Sequence, residues 1–292
     1  MSSQKTALVT GTSKGGIGDY LARELHGRGF RVFATARSPA KVQHLKEMGL
    51  DIVMLEVTDS ESIKRAAEEV NELTGGRLDI LINNSGFAYM SPLLDTDIAG
   101  AKACFDVNVW GVLEVTRAFT PMLIASKGTI INIGSVVGRV PLPFQGIYNI
   151  SKAALEHLSR QLRVELSPFD IKVVHVVTGG INTAFFSHHT GDTTIAETSY
   201  YYPGREYMAS WTSGEAGEAL QTTPPEEFAK GVVDNALKSS PTACHYVGFG
   251  SFATWLVSRV LWYTSTDLLM WIMGIPNIKK ALASDRAGKK AD

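Results

Sequence analysis

The chain has 292 residues, 45% of them hydrophobic and 20% charged, the balance of a globular protein able to bury a large core. Lys and Arg total 28 against 29 Asp and Glu, with no long run of one sign, so the charge carries no footprint for nucleic acid. Cys104 and Cys244 are the only cysteines, and neither has His or Cys at metal-ligand spacing; both read as buried free thiols, and no metal site is expected.

The first five residues contain no apolar signal segment, so a reducing, cytoplasmic setting is expected. A short β-rich run at 6–10 ends in glycines and gives way to helical periodicity over 19–26, carried by Leu21, Ala22 and Leu25. Strand 31–35, helix 40–48 and strand 52–57 follow, then a helix over 61–73 with Thr58 and Glu61 at capping-box spacing. The pattern continues with strand 78–83, a long helical stretch over 101–122, strand 129–133, helix 147–166 stopped by Pro168, and strand 172–177. Six strands alternate with helices, and apolar runs such as Ile80-Leu81-Ile82 suit a sheet covered on both faces. The fold class that follows is α/β, doubly wound around a parallel sheet. Regularity lapses over 182–223, a length of irregular chain that reads as a substrate lid, and Pro224-Pro225-Glu226-Glu227 then opens a helix.

The segment Gly11-Thr12-Ser13-Lys14-Gly15-Gly16-Ile17-Gly18 links the first strand to the first helix, the context a dinucleotide site requires. Its glycines let backbone approach a pyrophosphate whose charge the helix N-terminus favours. The second strand ends at Arg37, where an NAD site would place an acidic residue for the ribose 2′-hydroxyl. Arg37 and Lys14 offer cations for a 2′-phosphate instead, which points to NADP(H); a solvated strand-end charge is the competing reading of Arg37.

Tyr148 and Lys152 are four residues apart in a predicted helix and so share one face. A neighbouring cation favours the ionised phenol, and such a pair can move protons at neutral pH. The glycine turn, Asn83-Asn84-Ser85-Gly86, Asn108, Ser135 and Tyr148-Lys152 occur in the order and spacing of the classical short-chain dehydrogenase/reductases, which this chain resembles over about residues 5–250. The resemblance implies a single Rossmann-like domain and a tetrad: Tyr148 as acid/base, Lys152 lowering its pKa and holding the nicotinamide ribose, Ser135 polarising the carbonyl, and Asn108 supporting a proton relay. It also implies cofactor contacts from Gly11, Ser13, Lys14, Gly16, Ile17, Gly18, Arg37, Asn83, Ser85 and Gly86, and from Ile181 and Thr183 beyond the sixth strand. Thr178 stands where the family usually has Pro, Ser85 where it usually has Ala, and the glycine turn carries one extra residue.

The extra glycine, Thr178-Gly179-Gly180, the segment Tyr202-Pro203-Gly204-Arg205-Glu206 and an apolar tail resemble a fungal subgroup, the NADPH-dependent 1-acyldihydroxyacetone phosphate reductases. That resemblance implies a lipidic ketone as substrate; similar reductases of fungal secondary metabolism leave terpenoid, polyketide or steroid-like ketones as the alternative, and a cofactor-bound scaffold or cyclase as a third. Tyr202 and Arg205 are the candidate substrate residues, Arg205 for a phosphate, with Tyr200, Tyr201 and Trp211 along an acyl channel and His188-His189 as lid polarity. The tail, 251–292, follows a catalytic domain over 1–250. Between 246 and 278 it carries Trp255, Trp262 and Trp271 and only Arg259 and Asp267 as charges. Its apolar runs are too short to span a bilayer. Packing on its own domain or on a second subunit competes with peripheral contact on a membrane, on the cytosolic face of the endoplasmic reticulum or a lipid droplet, through 251–278 and the nearby Lys279 and Lys280.

Overall fold

The computed structural model describes residues 4–183, 185, 194–212, 222–260, 271 and 275–288. Seven strands form one sheet in the order β3-β2-β1-β4-β5-β6-β7: β1 (Thr6–Val9), β2 (Arg31–Ala36), β3 (Asp51–Met54), β4 (Ile80–Asn83), β5 (Thr129–Ile133), β6 (Lys172–Thr178) and β7 (Cys244–Val247). Every neighbouring pair is parallel. Because successive strand side chains point to opposite faces, the buried apolar runs feed two cores. Ala7, Val9, Ile80, Ile82, Ile131, Ile133, Val174 and Val176 meet α1 (Ile17–Gly27), α2 (Gln43–Glu47) and α8 (Pro225–Ala236) on one side. Leu8, Leu81, Ile130 and Val173 meet α3 (Ser60–Thr74), α5 (Gly111–Ser126) and α6 (Gly146–Glu165) on the other.

Strand order reverses between β1 and β4, which opens a crevice at the carboxyl edge of the sheet. The glycine turn after β1, the 83–91 segment after β4 and the turn after β5 all meet there. Three sequence expectations need correction. The sheet has a seventh strand, β7, whose residues are all only half-buried and include Cys244 and His245, so no apolar run announced it. Helix α3 is capped by Asp59, whose carboxylate accepts the Glu61 N–H, while the Thr58 hydroxyl donates to Glu56 and makes no box with Glu61. The long helix runs from α4 (Ile98–Phe105) through a wide π-turn, Asp106–Trp110, into α5.

The second cysteine also departs from expectation: Cys104 is buried, but Cys244 is only half-buried. After β7 the chain enters α9 (Ser251–Val260), which buries Ser251 and Thr254 and exposes Phe252, Trp255 and Leu256. The last helix, α10 (Ile275–Gly288), turns back and buries Ile278 against Met208 of α7 (Arg205–Thr212) and against Gly204. No helix among the described residues is long and apolar enough to cross a membrane. His188, His189, Trp262 and Asp267 lie outside the described residues, as do the side chains of Trp211 and Arg259.

Candidate active site

Tyr148, Lys152 and Glu156 recur every four residues along α6 and form one buried stripe. Lys152 donates to the carbonyl of Ile133, the last residue of β5, at 3.0 Å, and its ammonium lies 5.7 Å from the centre of the Tyr148 ring. Just past β5, Ser135 is extended and caps the turn over Val136–Gly138 by accepting the Val137 N–H, and the Val136 and Val137 side chains of that turn pack with the Tyr148 ring. Burial pushes the Tyr148 phenol well above its ordinary value, and the neighbouring Ser135 hydroxyl works against that rise. Burial holds the Lys152 ammonium down to about 8. In this geometry the ammonium donates to the Ile133 carbonyl while staying within reach of the phenol ring.

Asn108 lies in the π-turn and is fully buried. Its carboxamide oxygen accepts the Phe87 N–H, and its amide donates to the Phe87 carbonyl, to Cys104 Sγ and to Ser151 Oγ at 3.0 Å. Ser151 in turn donates to the Tyr148 carbonyl. The side chain thus braces the 86–88 backbone against the start of α6.

In the glycine turn, Gly11 has φ +70°, and a Cβ on Gly18 would lie 2.4 Å from the Gly11 carbonyl oxygen, so neither position accepts a larger residue without strain. Gly16 caps α1 with no side-chain acceptor, and its own N–H folds back to the Ser13 carbonyl. The Gly15 N–H is held by buried Asp19, itself paired with His44 at 3.0 Å. Ile17 packs on the core at the first turn of α1. A Cβ on Gly11 would meet the Ser85 hydroxyl at 2.8 Å and one on Gly86 the Asn108 side chain at 2.9 Å, so glycine lets these loops pack closely. Lys14 is exposed, and the Arg37 side chain is 70% exposed with a 3.4 Å ion pair to Glu56. A helix N-terminus with no side-chain cap, open space beside Gly15 and two solvent-facing cations fit the expected NADP(H). Asn83 is a correction: its amide is spent on Thr116 and Asn132 inside the sheet–helix layer, away from the crevice.

Beyond β6, Gly180 and Thr223 exchange backbone contacts, and Ile181 packs inward beside Val247 and Gly248. Thr183 is half-buried in the following turn. The Tyr148 ring forms one wall with Ala88, Met90, Val137, Leu142 and Phe185, the last 5.8 Å away between ring centres. Tyr202 packs with Tyr201, Phe144 and Ile278 in a separate apolar cluster. Arg205 is exposed, stacks 4.2 Å over the Tyr202 ring and donates to the Tyr202 carbonyl. Glu156, Ser151 and Phe185 were missed by sequence reasoning. Only Glu156 had a signal, as the next step of the Tyr148-Lys152 spacing.

The model of the family described as short chain dehydrogenase matches residues 5–193. The chain belongs to the short-chain dehydrogenase family. Among its relatives in that oxidoreductase family, a short-chain dehydrogenase of Aspergillus ruber is 37% identical over 97% of this chain and 98% of its own. An NADPH-dependent 1-acyldihydroxyacetone phosphate reductase of Schizosaccharomyces pombe is 43% identical over 71% of each. A solved short chain dehydrogenase of Burkholderia cenocepacia in complex with NADP superimposes with TM-score 0.66 at 27% identity, covering 88% of this chain and 94% of its own.

For this dehydrogenase the buried lysine makes a prediction about stability. With a folded pKa of about 8 against 10.5 for the free side chain, the unfolded chain binds the extra proton between those values. Stability should rise from about pH 8 toward pH 10 in wild type, before Tyr148, raised by burial, begins to oppose it. Urea denaturation of wild type and Lys152→Met across that window is the measurement; parallel curves would mean that Lys152 is not titrating in the folded state.

Proposed function

We propose that the chain catalyses NADPH-dependent reduction of a ketone to a secondary alcohol. The observation that carries the reading is the buried Tyr148 phenol with Lys152 one helical turn on, set against an apolar wall that includes Val136 and Val137 of the turn that Ser135 caps. NADPH, when bound, supplies the hydride. Tyr148 gives its proton to the ketone oxygen, Ser135 donates a hydrogen bond to the same oxygen, and Lys152 holds the ribose and restores charge balance around the phenol. Asn108 keeps the 86–88 backbone and the head of α6 in register. Gly11, Ser13, Lys14, Gly16, Ile17, Gly18, Ser85 and Gly86 take the dinucleotide backbone, with Ile181 and Thr183 at the nicotinamide end and Lys14 and Arg37 on the 2′-phosphate.

In this reading residues 1–250 are the catalytic domain, with 182–223 as its lid and 251–292 as an appendage. The preferred substrate is a hydrophobic ketone of the 1-acyldihydroxyacetone phosphate type. The apolar wall around Tyr148 and the reductase of Schizosaccharomyces pombe support it, and so does Arg205, which meets no carboxylate among the described residues. Ketones of fungal secondary metabolism are the second reading. A second copy of the chain as partner is compatible with both.

Tyr148→Phe removes the proton donor, so ketone reduction followed by NADPH oxidation should fall by about two orders of magnitude or more with the fold intact. Retained turnover would leave a scaffold or cyclase role, and equal rates with NADH would remove the case for Arg37. Arg205→Ala should raise KM for acyldihydroxyacetone phosphate about tenfold and leave an uncharged ketone unaffected; an unchanged KM would transfer preference to the second reading.

The exposed aromatic face of α9, Phe252 stacked on Trp255 with Leu256 beside them, supports peripheral contact with a lipid surface, while α10 packs on its own domain. Full-length protein should float with anionic vesicles, and Phe252→Ser/Trp255→Ser should not. Flotation that is absent, or that persists in the double variant, would remove α9 as a membrane contact.

A further inference from the structure

Ser135 can serve the reaction only if a short turn keeps it beside Tyr148. The turn over Val136–Gly138 is a single loop of 3-10 helix with two backbone bonds of its own, Gly138 N–H to the Ser135 carbonyl and Arg139 N–H to the Val136 carbonyl. It lies directly on α6: a Cβ on Gly138 would come 2.9 Å from the Lys152 carbonyl carbon, so glycine is what lets the two backbones touch. The residue that closes the turn, Arg139, is buried and aimed along the same helix. Its Nε donates to Glu156 Oε2 at 2.8 Å and its Nη2 to Glu156 Oε1, a two-point grip with both side chains 8–10% exposed.

The remaining guanidinium edge reaches β7. Nη1 donates to the Tyr246 hydroxyl, the guanidinium carbon stands 5.1 Å from the centre of that ring, and Nη2 lies 3.1 Å from Cys244 Sγ. One planar fork thus joins the Ser135 turn, α6 and the last strand, a geometry that the single ammonium of a lysine cannot reproduce. Burial alone would raise the Glu156 carboxyl, yet Arg139 holds it below its ordinary value, so the pair stays charged. A buried ion pair is weak evidence of stability, because desolvation consumes most of the attraction; what it fixes well is geometry. Glu156 is the third member of the stripe that begins with Tyr148 and Lys152, so the helix that carries the phenol also carries the anchor for the serine turn whose valines pack against it.

We propose that Arg139 and Glu156 are positioning residues for the reduction, their ion pair pinning the Ser135 turn to α6 so that the serine hydroxyl is presented beside the Tyr148 phenol. The proposal rests on the reductase reading. Loss of that reading would appear as a wild-type protein that reduces no ketone with NADPH, whereas the clamp is judged only against an active wild type.

Glu156→Asp keeps the charge and withdraws the carboxylate by one methylene. In folded protein it should lower kcat about 10- to 100-fold, with NADPH affinity by fluorescence titration unchanged, since a displacement near 1 Å is enough for such a loss. Arg139→Met/Glu156→Leu removes both charges, leaves no unpaired ion in the interior and should show the same loss, which covers the case where a single variant fails to fold. The deciding comparison is Ser135→Ala with and without Glu156→Asp. With no hydroxyl left to place, the second change should cost nothing more, whereas a general structural defect would cost the same in both backgrounds. Wild-type kcat in folded Glu156→Asp or in the charge-free pair, or additive losses in the Ser135→Ala cycle, would overturn the proposal.

Discussion

The active region depends on one buried contact, the hydrogen bond from the Lys152 ammonium to the last carbonyl of β5. An ammonium taken out of water holds its proton less firmly, which is why this one is brought down to about 8. The contact has to be strong enough to keep a costly charge inside, and in doing so it fixes the azimuth of α6 against the sheet. Tyr148 one turn earlier and Glu156 one turn later are oriented by the same constraint. The chemistry is therefore attached to the sheet edge through a helix held there by a buried cation together with the Asn108–Ser151 brace.

Parallel pairing supplies the other half of the arrangement. Because all seven strands run the same way, the loops that follow β1, β4, β5 and β6 collect at one edge. Glycine at Gly11, Gly18, Gly86 and Gly138 then lets the loops pack closely against one another and against α6. The site is made largely of main chain, with few polar side chains reaching into it, and this suits an enzyme that must hold an extended cofactor while leaving space for a substrate.

Much of this was legible in the amino-acid sequence. The alternation of apolar runs with 3.6-residue periodicity gave the doubly wound sheet, and the glycine turn and the Tyr148-Lys152 spacing marked the crevice, because these features are local in the chain. What was not legible is long-range or polar. β7 escaped since Cys244, His245 and Tyr246 form no apolar run and pair with β6 only in the folded state. The π-turn at Asn108 leaves the apolar spacing of its helix almost unchanged, and only the backbone reveals it. Asn83 stood among the expected cofactor residues through its place in the Asn83-Asn84-Ser85-Gly86 motif, yet strand alternation turns its side chain toward Thr116. The Arg139–Glu156 pair spans 17 residues and has no local signature.

The two ends of the segment between β6 and α8 are tied to each other. The Thr223 N–H donates to the Gly180 carbonyl, and the Asn182 N–H donates back to the Thr223 carbonyl. Loop closure is thus completed at the root, on the sheet edge, and does not depend on what the intervening residues do. Such a root makes the insert an exchangeable cassette. An insert tied in this way can change in length or chemistry while the sheet beneath folds as before.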